Sequence, residues 1–196
     1  MMKTTLFHDR ITIDLPANYS VWDQDLPPLP GVTRSPGNDN LEPDQKSGVF
    51  SDTPDESSSS VFYRSRRCPE TFLHCLETGK EWGKAELSER LNSYHILFTR
   101  SLPLFKDYDL AFRPLKDDMG SALGQMRYSF ASPDKEWYGV LLVFPIGVAS
   151  QKEALINMVC PIPDSRNAMF EFASIADSLT LTSASPEASP SHQSNP

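Results

Sequence analysis

Cysteine and histidine are the residues of this 196-residue chain most suited to covalent or metal chemistry, and they are few: Cys68, Cys75 and Cys160, with His8, His74, His95 and His192. A cysteine nucleophile needs a stabilised thiolate and a nearby base. Cys160 or Cys68 with His95 would be the pair for a cysteine-dependent hydrolase. Against this, Cys160 in "ALINMVCPI" stands in phase with Ile156 and Met158, as a buried residue at the end of a strand would. Free cysteine packs as a small hydrophobe, so Cys160 reads as structural and the hydrolase as the alternative. His95 sits beside Tyr94 near an apolar stripe and reads as a hydrogen-bonded structural residue. Cys68, His74 and Cys75 are spaced Cys-x5-His-Cys, which lacks the paired spacing and fourth ligand of a zinc site. The carboxylates of "DYD" (107–109) and "KDD" (116–118) read as solvated neighbours on turns. There is no nucleophile elbow, phosphate-binding glycine loop, zinc-protease helix or dinucleotide fingerprint. No catalytic residue, metal or cofactor is therefore expected.

Binding residues are easier to name. Arg64, Arg66 and Arg127 fall on the polar phases of expected strands and would form a basic patch if those strands were neighbours. Phe62, Tyr63 and Trp137 are the aromatic anchors that could accompany them, since aromatics and arginine dominate interface hot spots; each suits the core equally. The expected partner is a protein or peptide with acidic character, or the protein's own acidic segment.

The elements that position these residues follow from periodicity. Ile11, Ile13 and Leu15 alternate with Thr12 and Asp14, a half-buried strand that "TTLFHDRITIDL" closes into a hairpin at His8-Asp9. "SVFYRSRR" (60–67) and "YDLAFRPL" (108–115) read as further strands. Residues 70–103 read as helical, with Leu87, Leu91, Tyr94 and Phe98 on one face and Pro103 near the end. Residues 124–132, 136–146 and 154–162 form a three-strand meander whose middle member is apolar on both faces, and so central. A helix capped by Asp164 or Ser165 follows, its apolar face made by Met169, Phe172 and Ile175 or Ala176, and "SLTL" (178–181) closes with a short strand.

Charge and proline divide the chain. Residues 23–60 carry eight acids, two bases and six prolines, giving −6 of the net charge of −8. Such a segment buries too little to offset its ordering entropy. The organisation expected is one α+β domain over 1–182 with an acidic Pro/Ser-rich insert at 23–60, followed by a disordered tail at 183–196. The acidic balance argues against nucleic acid and anionic membrane surfaces. The longest apolar run, "YGVLLVFPIGVA", is too short to cross a bilayer. An odd cysteine count and a polar start without an apolar leader fit the cytoplasm.

The order of elements resembles the PsbP/Mog-like fold, whose relatives include the DcrB proteins and the Eag-type secretion chaperones. The likeness rests on Leu15, Pro16, Tyr19 and Trp22 at the end of the early strand and on Ser178, Leu179, Thr180 and Leu181 after the last helix. The resemblance implies an α/β/α sandwich, an antiparallel sheet with helices packed on both faces. It also implies a non-catalytic binding or adaptor protein, such as a bacterial chaperone or secretion accessory recognising a peptide or helix on its sheet face. It brings no active-site residues.

Overall fold

The computed structural model describes residues 1–22, 60–83, 86–115, 121–147 and 151–182. The acidic insert up to Ser59, the tail at 183–196 and the carboxylates at 117–118 lie outside the described residues.

The chain opens with a hairpin of β1 (Met2–Leu6) and β2 (Ile11–Leu15), paired antiparallel with Leu6 opposite Ile11. Its turn puts Phe7, His8 and Asp9 at positive φ, a region that His and Asp tolerate better than most residues. Arg10 steadies the turn by donating from Nε to the Phe7 carbonyl at 2.8 Å. The strand β10 (Thr180–Leu181) pairs along the other edge of β2 and completes a three-stranded sheet.

The larger sheet has seven strands in the order β3-β4-β5-β9-β8-β7-β6, all antiparallel. These are β3 (Tyr19–Val21), β4 (Ser60–Ser65), β5 (Phe72–Glu81), β6 (Lys106–Pro114), β7 (Ala122–Ser132), β8 (Lys135–Ile146) and β9 (Lys152–Pro161). The meander β7-β8-β9 is the one read from alternation, and β8 is buried on both sides from Trp137 to Ile146. Strand alternation divides its residues between two cores. One holds Tyr138, Val140, Leu142, Phe144 and Ile146 together with Cys160, the small sheet and α2 (Ser165–Ser178). The other holds Trp137, Leu141 and Val143 with α1 (Leu87–Ser101), which buries Leu91, Tyr94 and Phe98.

The expected α/β/α sandwich, with helices packed on both faces of the sheet, is overturned. Antiparallel strand dominates, there are two helices among the described residues, and the small sheet β1-β2-β10 takes a place assigned to helix. The main source of the error is residues 72–81, which form the ten-residue β5 rather than the first part of a helix. Phe72, Leu73, His74 and Cys75 are all buried because β5 lies inside the sheet. A strand covered on both faces loses the two-residue period that would distinguish it from helix.

His74 shows what this burial does. Its ring stacks on Phe62 at 3.8 Å and 5°, and Nε2 lies 2.9 Å from the Ser60 hydroxyl. Burial lowers its pKa to about 3, below an unfolded value of about 6.5. Between these values the unfolded chain binds a proton that the folded chain does not. Stability is therefore fully present above pH 6.5 and declines by about 1.4 kcal/mol per pH unit as pH falls. Urea unfolding at pH 7 and pH 5 should show a pH-linked loss about 2 kcal/mol smaller in His74→Phe than in the parent chain. Equal losses in the two proteins would refute the buried neutral imidazole.

Candidate functional site: an arginine-rimmed cleft

The six residues expected to bind a partner are not brought together. β4 and β7 are separated by β5, β9 and β8, so Arg64 and Arg127 do not make one patch. Arg64 donates to the Pro69 carbonyl, and Arg66 lies exposed beyond β4. Tyr63 and Trp137 are core residues, the latter donating from Nε1 to the Ser132 hydroxyl at 3.1 Å. Phe62 is half-buried between Trp22 and His74.

The hydrolase pairs are not assembled either. Cys160 belongs to the core that contains α2, whereas His95 rides on α1 at the other core, 3.4 Å from Asp107 and edge-on to Phe105. Burial raises the Cys160 thiol to about 12 and pushes Cys75 well above its ordinary range. Cys68 is raised by burial and by donating to the Asp164 carboxylate at 3.0 Å. His74 and Cys75 are successive residues of β5 and point to opposite faces, so no metal triad forms with Cys68. No group of three His, Cys, Asp or Glu side chains with metal-binding geometry occurs among the described residues. At neutral pH, Ellman's reagent should titrate only Cys68 in the folded protein, slowly, and all three thiols in denaturant. Rapid native reaction of Cys160 would contradict its placement.

A concavity that could hold a ligand lies between α2 and the strands β6, β7 and β8, with a volume of about 340 Å³. Its floor is Tyr138, Val140 and Phe172, with the rings of Tyr138 and Phe172 parallel within 10°. Phe172 is fixed because it belongs to the buried stripe of α2 with Ala168, Ile175 and Ala176. The next residues round the helix, Met169 and Phe170, line the mouth and stay 41% and 75% exposed. Three arginines complete the lining: Arg113 from β6, Arg127 from β7 and Arg166 from the first turn of α2. Arg127 holds Asp109 and Arg113 holds Asp177, each at 2.5 Å. Arg166 has no ion-pair partner among the described residues.

Of the six residues expected to bind a partner, only Arg127 lines this cleft. Arg113, Arg166, Met169 and Phe170 were missed as site residues. Phe170 left one signal, since it is a large aromatic outside the helical stripe. Met169, read as part of that stripe, lies at its border.

Comparison with known proteins rests on structure. No family model matches the chain, and no curated protein matches it. The cyanobacterial PsbP (CyanoP) of Synechocystis sp. PCC 6803 aligns over 92% of this chain and 92% of its own, with a TM-score of 0.56 and 10% identity. The fold is PsbP-like. LpqN of Mycobacterium tuberculosis, a protein involved in cell envelope biogenesis, aligns over 93% of this chain and 91% of its own at TM-score 0.48 and 13% identity. At such identities the PsbP-like likeness is one of fold, and no functional residue transfers with it. No helix among the described residues is long and apolar enough to cross a membrane.

Proposed function

We propose that this protein is a non-catalytic accessory or adaptor that captures an acidic, apolar peptide segment in the cleft between α2 and β6–β8. One observation carries the reading: an apolar floor is rimmed by Arg113, Arg127 and Arg166 beside a Phe170 that is 75% exposed. Ordinary surfaces expose large aromatics singly, whereas an aromatic at the mouth of an arginine-lined apolar groove has the composition of an interface hot spot. The occupant that fits is a peptide with aromatic or aliphatic side chains for the floor and a carboxylate for Arg166, since Arg113 and Arg127 already hold Asp177 and Asp109. This is chaperone-like or secretion-accessory work of the kind expected for DcrB and Eag-type relatives. The recognition surface moves from the open sheet face to the helix-sheet cleft. A cytoplasmic setting is part of the proposal, supported by three unpaired thiols.

Selection of peptides on the full chain from a random display library tests it. The enriched peptides should carry Asp or Glu beside Phe, Leu or Trp. Their affinity should fall by about 30-fold or more in Phe170→Asp, a loss of about 2 kcal/mol typical of a hot spot. Arg166→Glu should weaken them as well, and more strongly at low salt. Enrichment of basic peptides, or unchanged affinity for Phe170→Asp, would refute the cleft as the binding site.

A further inference from the structure

The two edges of the seven-stranded sheet are not alike. β3 ends one side with only three residues. β6 ends the other with nine, and no strand pairs with its outer edge among the described residues. Natural sheets blunt such an edge with shortness, charge, proline or a bulge. β6 carries a bulge between Asp107 and Asp109, Pro114 as its last residue and charges at Lys106 and Asp107, while the two charges nearer its centre, Asp109 and Arg113, are each held in an ion pair within the chain. Its middle, Asp109-Leu110-Ala111-Phe112-Arg113, is regular and carries exposed Leu110 (43%) and Phe112 (55%) on one face.

We infer that the outer edge of β6 is a homodimer seam, in which two copies pair antiparallel about a twofold axis at Ala111. The five residues are self-complementary in that register. Asp109 meets the partner's Arg113, and Arg113 meets the partner's Asp109. Leu110 meets the partner's Phe112, and Ala111 meets the partner's Ala111, where a small side chain suits the axis. A closed twofold contact of this kind joins like patches and leaves neither β6 edge free. Opposite charges and apolar pairs directly across strands are the favourable cross-strand combinations, and the backbone supplies the hydrogen bonds. The charges also extend inward, because Asp109 already holds Arg127 and Arg113 already holds Asp177 within one chain. Across the seam the row reads Arg127, Asp109, the partner's Arg113, the partner's Asp177, with signs alternating throughout. A second copy is thus favoured over an unrelated peptide, which would have to supply all of these at once.

The test uses the full chain. Sedimentation equilibrium should give a dimer with a Kd on the order of micromolar, as expected for a small interface. Leu110→Lys/Phe112→Lys puts like charges across the seam at exposed positions and should raise the Kd by about 100-fold or more. Ala111→Cys should be joined to its partner by a short bismaleimide, beyond any product from wild-type chains, whose accessible thiol is Cys68. That variant keeps both apolar residues, so its result stands if the lysine variant fails to fold. A wild-type chain that stays monomeric at about 100 μM, well above that expected Kd, overturns the inference. So does a dimer that survives in the folded lysine variant, or Ala111→Cys that crosslinks no more than wild type.

Discussion

Gly139→Ala should destabilise the protein by about 3–4 kcal/mol, a larger loss than most single substitutions cause. Gly139 is in the middle of β8, directly opposite Tyr128 of β7. A Cβ there would lie 2.3 Å from Tyr128 Cζ, 2.6 Å from its hydroxyl oxygen and 2.7 Å from Cε1. The Tyr128 ring crosses β8 at this glycine and reaches β9, where its hydroxyl donates to Asn157 Oδ1 at 2.7 Å. Three strands are thereby tied through one buried side chain. Glycine inside a strand normally weakens it, and its presence here is explained by the close approach of that ring. Adding a methyl forces the ring away, which overpacks the core at a cost of about 1–3 kcal/mol and strands the buried Asn157 amide at a cost of about 1–3 kcal/mol more. Tyr128→Phe removes only the hydrogen bond and should cost about 1–2 kcal/mol. Urea unfolding measures all of these. The decisive comparison is Gly139→Ala combined with Tyr128→Leu, which frees the space. If the ring is what the glycine accommodates, the double variant will lose clearly less than the sum of its parts. Strict additivity would show that the glycine is there for another reason.

The same strands show how far the sequence could be read. Alternation at Ile11, Ile13 and Leu15, and at Met126, Tyr128 and Phe130, was legible because one face of each strand differs chemically from the other. β8 was legible from the opposite sign, being apolar throughout between clear turns. β5 was not, since His74 and Glu77 are buried beside Leu73 and Cys75 and erase any period. Strand order was out of reach for a different reason. β9 returns to lie between β5 and β8, which moves β4 and β7 apart. No local pattern encodes that crossover, so Arg64 and Arg127 were grouped although they sit in different parts of the sheet. The cleft likewise joins Arg113, Arg127 and Arg166, drawn from three elements. Their chemistry is visible in the sequence but their meeting is a property of topology. Leu15, Pro16, Tyr19 and Trp22 and the closing Ser178-Leu179-Thr180-Leu181 pointed to the PsbP-like fold because strand and helix ends are local features.

Arg90→Ala should release α1 from the sheet and cost about 3–5 kcal/mol, the usual penalty for leaving a buried charge uncompensated. Glu153 of β9 is 2% exposed. Its Oε2 accepts from Arg90 Nη1 at 2.7 Å, and its Oε1 accepts from the Tyr94 hydroxyl at 2.5 Å and the Thr78 hydroxyl at 3.1 Å. Two of these donors come from α1, so one carboxylate anchors the helix to the sheet. The guanidinium also lies over the Trp82 ring, 4.3 Å from its centroid, a contact available to a planar cation. Burial and the Glu153 charge hold the Tyr94 hydroxyl protonated well past its ordinary range, so it remains a donor at any pH where the protein is folded. It does not neutralise the carboxylate, and that is why the arginine dominates. Arg90→Lys should recover little of the loss, because a lysine lacks the fork that grips Glu153 while stacking on Trp82. Glu153→Gln combined with Arg90→Met removes both charges and should be less destabilised than Arg90→Ala alone. Hydrogen exchange adds the spatial reading, with amides of Leu91 to Phe98 losing protection before those of β8. If Arg90→Ala shifts the urea midpoint by less than the equivalent of about 1 kcal/mol, the pair behaves as a surface ion pair and the anchoring role fails.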